Sequence, residues 1–241
     1  NINCVINKLN ADHLDENIRY WIDEHPYIRH FVWNNLDPSM GRAEVNQTQF
    51  TPRLADFELS LHRALRLLHQ SGRTFRVEKV PLCYMTEFAW ASTETRKIVK
   101  GEERLVHFLD AKQTVRQQSF EHIYAPTCHD CSVRNVCGGL FERGNAYDPA
   151  ELAPQFVDPE VVVRAILEDP RDPSFARVSL AQWRAAFASR GDATAGEALP
   201  AVGSRSPEGE RLYAAKRRAE ARRAAALGVV MEREGEPEPE G

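Results

Sequence analysis

Three cysteines lie within ten residues, at Cys128, Cys131 and Cys137, and Gly138 and Gly139 follow directly. Two thiolates in a Cys-x2-Cys pair can point the same way from one turn, and a third after a short loop closes one side of a metal centre. The paired glycines let the backbone pass close to such a centre because they carry no side chain. The spacing therefore predicts a zinc site or an iron–sulfur cluster rather than three buried free thiols.

A closed site needs a fourth ligand, and the chain has two further cysteines. Cys83 is the better candidate because it follows Pro81, just beyond the end of a predicted strand. Cys4 lies inside the first predicted strand, where a buried free thiol is the ordinary interpretation. A histidine would be the alternative fourth ligand of a zinc site, and the histidines considered are His107, His122 and His129.

Composition narrows the class of protein. The 241 residues are 42% hydrophobic and 27% charged, as in a soluble globular chain. No apolar run approaches the roughly 20 residues of a membrane helix, and a net charge of −4 disfavours a nucleic-acid partner. Five cysteines without an export signal favour a reducing cytoplasm and a metal site over a disulfide scaffold.

The elements that must position the cysteines alternate between strands and helices over the first 80 residues. Apolar periodicity predicts, in chain order, strand 2–7, helix 12–24, strand 28–33, helix 53–70 and strand 75–80. Such alternation is typical of a parallel sheet with right-handed crossovers. Because the chain opens without Met on a strand-like run, we expect a fragment that begins within a domain.

After Pro81 the predicted elements become shorter. We expect strands at 84–90, 95–99 and 104–109, a turn at 100–102, and helices at 112–123, 161–167 and 180–188. The composition of the C-terminal residues predicts a linker at 190–209, a basic Ala-rich helix at 210–226 and a disordered acidic tail at 232–240.

The order of these features resembles the C-terminal half of a radical S-adenosylmethionine (radical SAM) enzyme. The resemblance rests on three βα-type units, a Pro-x-Cys after the last strand and the Cys-x2-Cys-x5-Cys-Gly-Gly run, and it covers about residues 1–147. It implies an α/β fold: the last three strands of a partial barrel, then a small α+β auxiliary-cluster domain of the SPASM or twitch type. The implied domains are 1–81 (barrel), 82–147 (auxiliary cluster), 148–190 (helical extension) and 191–241 (linker, basic helix and acidic tail).

The chain departs from the family's pattern at two points. The SPASM pattern continues to a fourth cysteine, but Phe141 stands at that position and no cysteine follows Cys137. One auxiliary [4Fe–4S] cluster is therefore implied, with the ligands Cys83, Cys128, Cys131 and Cys137. The Cys-x3-Cys-x2-Cys run of the catalytic cluster is absent, and in the family it would precede Asn1. The resemblance thus implies an N-terminally truncated fragment that is inactive alone.

The resemblance also implies cofactors and partners. The full-length parent would bind S-adenosylmethionine at the carboxyl ends of its strands, where Asn7, Asn34, Asn35 and Asp37 are implied as cofactor- or substrate-binding residues. An electron donor such as flavodoxin or ferredoxin is implied, a ribosomal peptide is the favoured substrate, and no membrane partner is expected. The alternative is a zinc-stabilised, non-enzymatic module whose basic segment 210–226 binds nucleic acid or a protein.

Overall fold

The computed structural model describes residues 1–38, 41–108, 113–117, 120, 122–141, 146–171 and 178–190, together with positions 214 and 218. Its strands are β1 (Ile2–Ile6), β2 (His30–Asn35), β3 (Thr74–Glu78), β4 (Arg104–Phe108) and β5 (Gln113–Gln117). Its α-helices are α1 (Leu14–Glu24), α2 (Gly41–Val45), α3 (Gln47–Phe50), α4 (Leu54–Gln70), α5 (Thr93–Lys100), α6 (Pro159–Leu167) and α7 (Leu180–Arg190). Short 3₁₀ helices cover Leu82–Tyr84, Thr86–Ala91, Pro126–Asp130, Arg134–Val136 and Pro149–Glu151.

The first three strands form a parallel sheet in the order β1-β2-β3, as predicted. Cys4 lies opposite Trp33 in the register, and Trp33 lies opposite Val77. Alternate side chains of β2 and β3 are buried, and they share one core with the apolar faces of α1 and α4. Parallel strands place their carboxyl ends at the same edge, so the segments that follow β1, β2 and β3 lie along one edge of the sheet.

Two of the predicted short strands are wrong, because both segments are helical. Residues 84–90 fall mostly in 3₁₀ turns, and residues 95–99 lie within α5. Ser92 caps α5 by accepting a hydrogen bond from the Thr95 N–H at 3.3 Å, and Gly101 ends the helix at a φ of +62°. The segment 100–102 is therefore a helix end rather than a hairpin turn.

The predicted helix at 112–123 is also wrong. Its first part is β5, which pairs antiparallel with β4 and places Val106 opposite Val115. The prediction of a strand at 104–109 is confirmed by β4. This hairpin belongs to a second unit formed by residues 103–118 and 206–241.

Residues 1–102 and 119–205 form the first unit. Its described core continues from the sheet into the cysteine region, because Phe75, Leu82, Tyr124 and Val136 belong to one buried cluster. The predicted helices at 161–167 and 180–188 are confirmed by α6 and α7, whereas the domain boundaries at 81, 147 and 190 stay predictions. The predicted linker, basic helix and tail lie outside the described residues, apart from 190, 214 and 218. Within the described ranges, no helix combines the length and apolar character needed to cross a bilayer.

Candidate metal centre

The four cysteines predicted as ligands line one cavity. Cys83 comes from the 3₁₀ helix that follows β3, so the cavity lies beyond the carboxyl end of that strand. Cys128 lies in the 3₁₀ helix Pro126–Asp130, Cys131 follows it directly, and Cys137 directly follows the next 3₁₀ helix. Cys4 instead lines a separate cavity beside Trp33.

Tight turns fix the direction of the clustered cysteines. The Cys131 N–H donates to the Cys128 carbonyl at 3.3 Å, and the Cys137 N–H donates to the Arg134 carbonyl at 3.3 Å. The Arg134 N–H in turn donates to the Cys131 carbonyl at 3.1 Å. This chain of i to i+3 bonds is the local structure that the Cys-x2-Cys-x5-Cys spacing produces, and it carries all three side chains to the same cavity.

Backbone N–H groups are directed at the sulfur atoms. The Gly139 N–H donates to Cys137 Sγ at 3.3 Å, and the Gln155 N–H donates to Cys131 Sγ at 3.3 Å. The backbone amide of Ala153 acts on Cys83 in the same sense, favouring its thiolate form. Such donors stabilise negative charge on sulfur and are one of the levers that tune iron–sulfur clusters.

Burial works in the opposite direction on the thiols. It raises the pKa of Cys83 to about 11 and that of Cys137 to about 12, and it raises the pKa of Cys128 as well. Buried thiolates in an apolar cavity need a compensating positive charge, which a metal ion or cluster supplies when it binds. A metal ion or cluster that bound here would therefore have to displace the protons of these thiols.

Beyond the cysteines, the described residues of the cavity wall are mainly apolar, and one of them is charged. The apolar lining residues are Pro81, Leu82, Val133, Leu152 and Ala153. Tyr124, Arg134 and Gly139 also line the wall, and the Tyr124 hydroxyl donates to the Cys137 carbonyl at 2.8 Å. A wall of this kind excludes water and strengthens electrostatic interactions inside the cavity.

The histidines considered as zinc ligands lie elsewhere. His129 is exposed and pairs with Asp130 at 3.1 Å, and His122 contacts the Phe141 ring. Neither is among the described residues that line the cavity. His107 contacts Thr114 within the β4–β5 hairpin.

The paired glycines serve contacts that the sequence did not reveal. A Cβ atom on Gly138 would lie 2.7 Å from the Glu94 Cβ, and one on Gly139 would lie 2.6 Å from the Ile123 carbonyl oxygen. Gly139 also adopts a φ of +73°, a conformation that other residues reach at a cost. The expectation that these glycines serve approach to a metal is therefore incomplete: close approach of protein segments requires them both.

Two of the predicted cofactor-binding residues have local partners. Asn7 follows β1, accepts the Leu9 N–H at 2.9 Å and donates to the Val5 carbonyl at 3.2 Å. Asn34 donates to the Asn3 side-chain oxygen at 2.7 Å, across the β1–β2 pair. Their position at the carboxyl edge is as predicted, and their role in binding a cofactor stays a prediction.

Asn35 and Asp37 lie at the same edge, but Asn35 faces the opposite side of β2 from Asn34. Asn35 is fully buried, donates to the Lys79 carbonyl at 3.3 Å and accepts the Tyr147 hydroxyl at 3.0 Å. It therefore fastens the chain after β3 to the segment around Tyr147. A role for Asp37 in binding substrate likewise stays a prediction.

Three residues of this region were not singled out by the sequence: Arg134, Tyr147 and Gln155. Arg134 lies between Cys131 and Cys137 in the sequence, so the cysteine spacing could have indicated that it lies near the site. Tyr147 and Gln155 form hydrogen bonds with segments that are distant in the sequence, and no local sequence pattern predicts such bonds. Comparisons with protein-family models, with curated proteins and with solved structures found no match to this chain.

Proposed function

We propose that this chain is the C-terminal part of a radical SAM enzyme and binds one auxiliary [4Fe–4S] cluster. The proposed ligands are Cys83, Cys128, Cys131 and Cys137. The observation that carries the proposal is their convergence on one cavity, although Cys83 is far from the other three in the sequence. The cavity follows β3 of a parallel sheet, in the order that the resemblance implies.

The cysteine motif supports a cluster over a single zinc ion. A zinc ribbon usually carries two Cys-x2-Cys pairs, whereas this chain has one such pair, at Cys128 and Cys131. The described His, Cys, Asp and Glu side chains form no group of three or more that is arranged around one metal-ion position, so the preference for a cluster rests on the motif.

The chain's own residues would hold the cluster and keep water away from it. When bound, the cluster supplies one-electron transfer. The N–H groups of Gly139 and Gln155 stabilise the thiolates, and the apolar wall reduces solvent access. Four cysteine ligands leave no iron open to substrate, so electron relay is the role that we propose.

The remaining features of the proposal belong to the parent enzyme. Asn7, Asn34 and Asp37 are proposed to face S-adenosylmethionine or substrate at the carboxyl edge of a partial barrel. Asn35, implied by the resemblance as a further binding residue, is fully buried and is proposed to support this edge through its bonds to Lys79 and Tyr147. A ribosomal peptide is the proposed substrate, flavodoxin or ferredoxin the proposed electron donor, and the cytoplasm the proposed location. The chain as given lacks the Cys-x3-Cys-x2-Cys run, so we expect it to bind the auxiliary cluster without generating a radical.

Substitution of single cysteines tests the ligand set. The full chain is reconstituted anaerobically with iron and sulfide, and the broad absorption near roughly 400 nm is recorded. Cys83→Ala and Cys131→Ala should each lose most of this absorption and of the bound iron. Cys4→Ala is the matched control and should retain both, because Cys4 lines a different cavity. Full iron retention by Cys83→Ala would contradict the proposed fourth ligand.

A zinc-stabilised binding module is the competing function. Four thiolates are also a common structural zinc set, and such a module would need no radical chemistry. The basic segment 210–226 would then be the binding element. Zinc at one equivalent in a colourless protein would favour this assignment.

A further inference from the structure

Arg134 is the only described residue of the cavity wall that carries a full positive charge. It begins the 3₁₀ helix between Cys131 and Cys137 and is half-buried. Its backbone is bonded to both neighbours in the ligand set, since its N–H donates to the Cys131 carbonyl and its carbonyl accepts the Cys137 N–H. The position of Arg134 is therefore tied to the position of two proposed ligands.

The guanidinium group is held in place by an aromatic ring. Its central carbon lies 3.2 Å from the centroid of the Tyr124 ring, a stacking arrangement that favours the cation. The Tyr124 hydroxyl donates to the Cys137 carbonyl at 2.8 Å, and Gly139 leaves room for the ring. The position of the charge is thus fixed by the protein's own contacts.

The charge lies on the same cavity wall as the four cysteines. Any group held by four thiolates becomes more negative when it accepts an electron. A nearby cation stabilises that more negative state, and an apolar wall screens the interaction less than water would.

We propose that Arg134 is a positioning residue that raises the reduction potential of the cluster held by the four cysteines. This inference rests on the proposed function. It assigns Arg134 the task of making one-electron reduction by a donor protein more favourable, with its charge fixed at the cavity by Tyr124. Arg134 gives up no proton in this role and touches no substrate.

The test compares reduction potentials of reconstituted full chains. Wild type, Arg134→Met and Arg134→Lys are titrated with dithionite through mediator dyes, and the reduced cluster is followed by electron paramagnetic resonance. Arg134→Met should make reduction about tenfold less favourable, which is a shift of about 59 mV to lower potential for one electron. Arg134→Lys keeps the charge and should retain most of the wild-type potential. Arg19→Met, which removes an exposed arginine from α1, should leave the potential unchanged.

The outcomes separate this inference from the proposed function. If wild type takes up no iron and sulfide, the proposed function fails. If Arg134→Met binds full iron at an unchanged potential, the inference about Arg134 is overturned while the cluster stands. Arg134→Gln is a second neutral variant in case methionine disturbs the stack on Tyr124. If neither neutral variant retains iron while Arg134→Lys does, Arg134 is needed for assembly, and its assignment to the potential is overturned.

Discussion

Replacement of Gly139 by alanine tests how the segment after the cysteines is packed. Gly139 and Gly72 adopt nearly the same backbone conformation, with φ values of +73° and +69°. A Cβ on Gly72 would meet nothing within 4 Å, whereas one on Gly139 would lie 2.6 Å from the Ile123 carbonyl oxygen and 3.0 Å from the Tyr124 ring. Gly72→Ala is therefore a control that carries the backbone cost without the steric conflict.

The two variants should differ by a predictable amount. The left-handed conformation costs an alanine about 1 kcal/mol at either position. At Gly139 the new methyl group must also displace the Ile123 carbonyl, which accepts the Leu140 N–H at 2.8 Å. Overpacking costs about 1–3 kcal/mol, and a weakened hydrogen bond costs about 1 kcal/mol more. We expect Gly139→Ala to lose about 3–5 kcal/mol of unfolding free energy and Gly72→Ala about 1 kcal/mol.

Urea unfolding of the full chain under anaerobic conditions measures both values. Tryptophan fluorescence and far-ultraviolet circular dichroism should give the same transition for each variant. Equal losses for Gly139→Ala and Gly72→Ala would refute the close packing of Gly139 against Ile123 and Tyr124.

Three further substitutions test contacts around the site by the same unfolding assay. Tyr147→Phe should lose about 1–3 kcal/mol, because it removes the donor that the Leu36 carbonyl, at 2.7 Å, and the buried Asn35 oxygen, at 3.0 Å, share; no loss would show that these contacts are dispensable. Ser92→Ala should cost about 1 kcal/mol by removing the cap of α5, and an unchanged midpoint would contradict the cap. Burial raises the pKa of Glu94 in the folded protein above its ordinary value of 4.5. The contribution of protonated Glu94 to folding stability is therefore fully present below pH 4.5 and is lost as the pH rises through the folded-state pKa. Glu94→Gln should therefore gain stability relative to wild type as the pH rises above 4.5, and a difference that is constant with pH would contradict this.

Long periodic elements were predictable from the sequence because one apolar stripe decides them. The five residues of α4 at helical spacing, Leu54, Phe57, Leu61, Leu65 and Leu68, are all buried. The parallel strands were equally clear, since their apolar runs are bounded by turn residues.

Short elements were mispredicted because local composition competes with capping. Residues 95–99 include β-branched side chains and looked like a strand, but Ser92 and Gly101 define helix ends on either side. Residues 113–117 pair with β4 instead of forming a helix. In both cases the interaction that determines the secondary structure involves residues outside the segment from which it was predicted.

The candidate site also combines residues that a local sequence pattern predicts with residues that only long-range contacts bring together. The three clustered cysteines form a local pattern, and the position of Cys83 after a predicted strand indicates that it lies near them, as its place in the same cavity shows. The contact between Tyr147 and Asn35 joins residues 112 positions apart, and the Gln155 amide reaches Cys131 from 24 positions away. Contacts of this kind depend on the assembled fold, so the sequence offered no pattern for them.

Metal analysis tests the central claim most directly. The full chain is purified anaerobically and assayed for iron, acid-labile sulfide and zinc by elemental and colorimetric analysis. A cluster bound by the four cysteines predicts about four iron and about four sulfide per chain, with little zinc. About one zinc per chain without iron or sulfide, before and after reconstitution, would contradict the account.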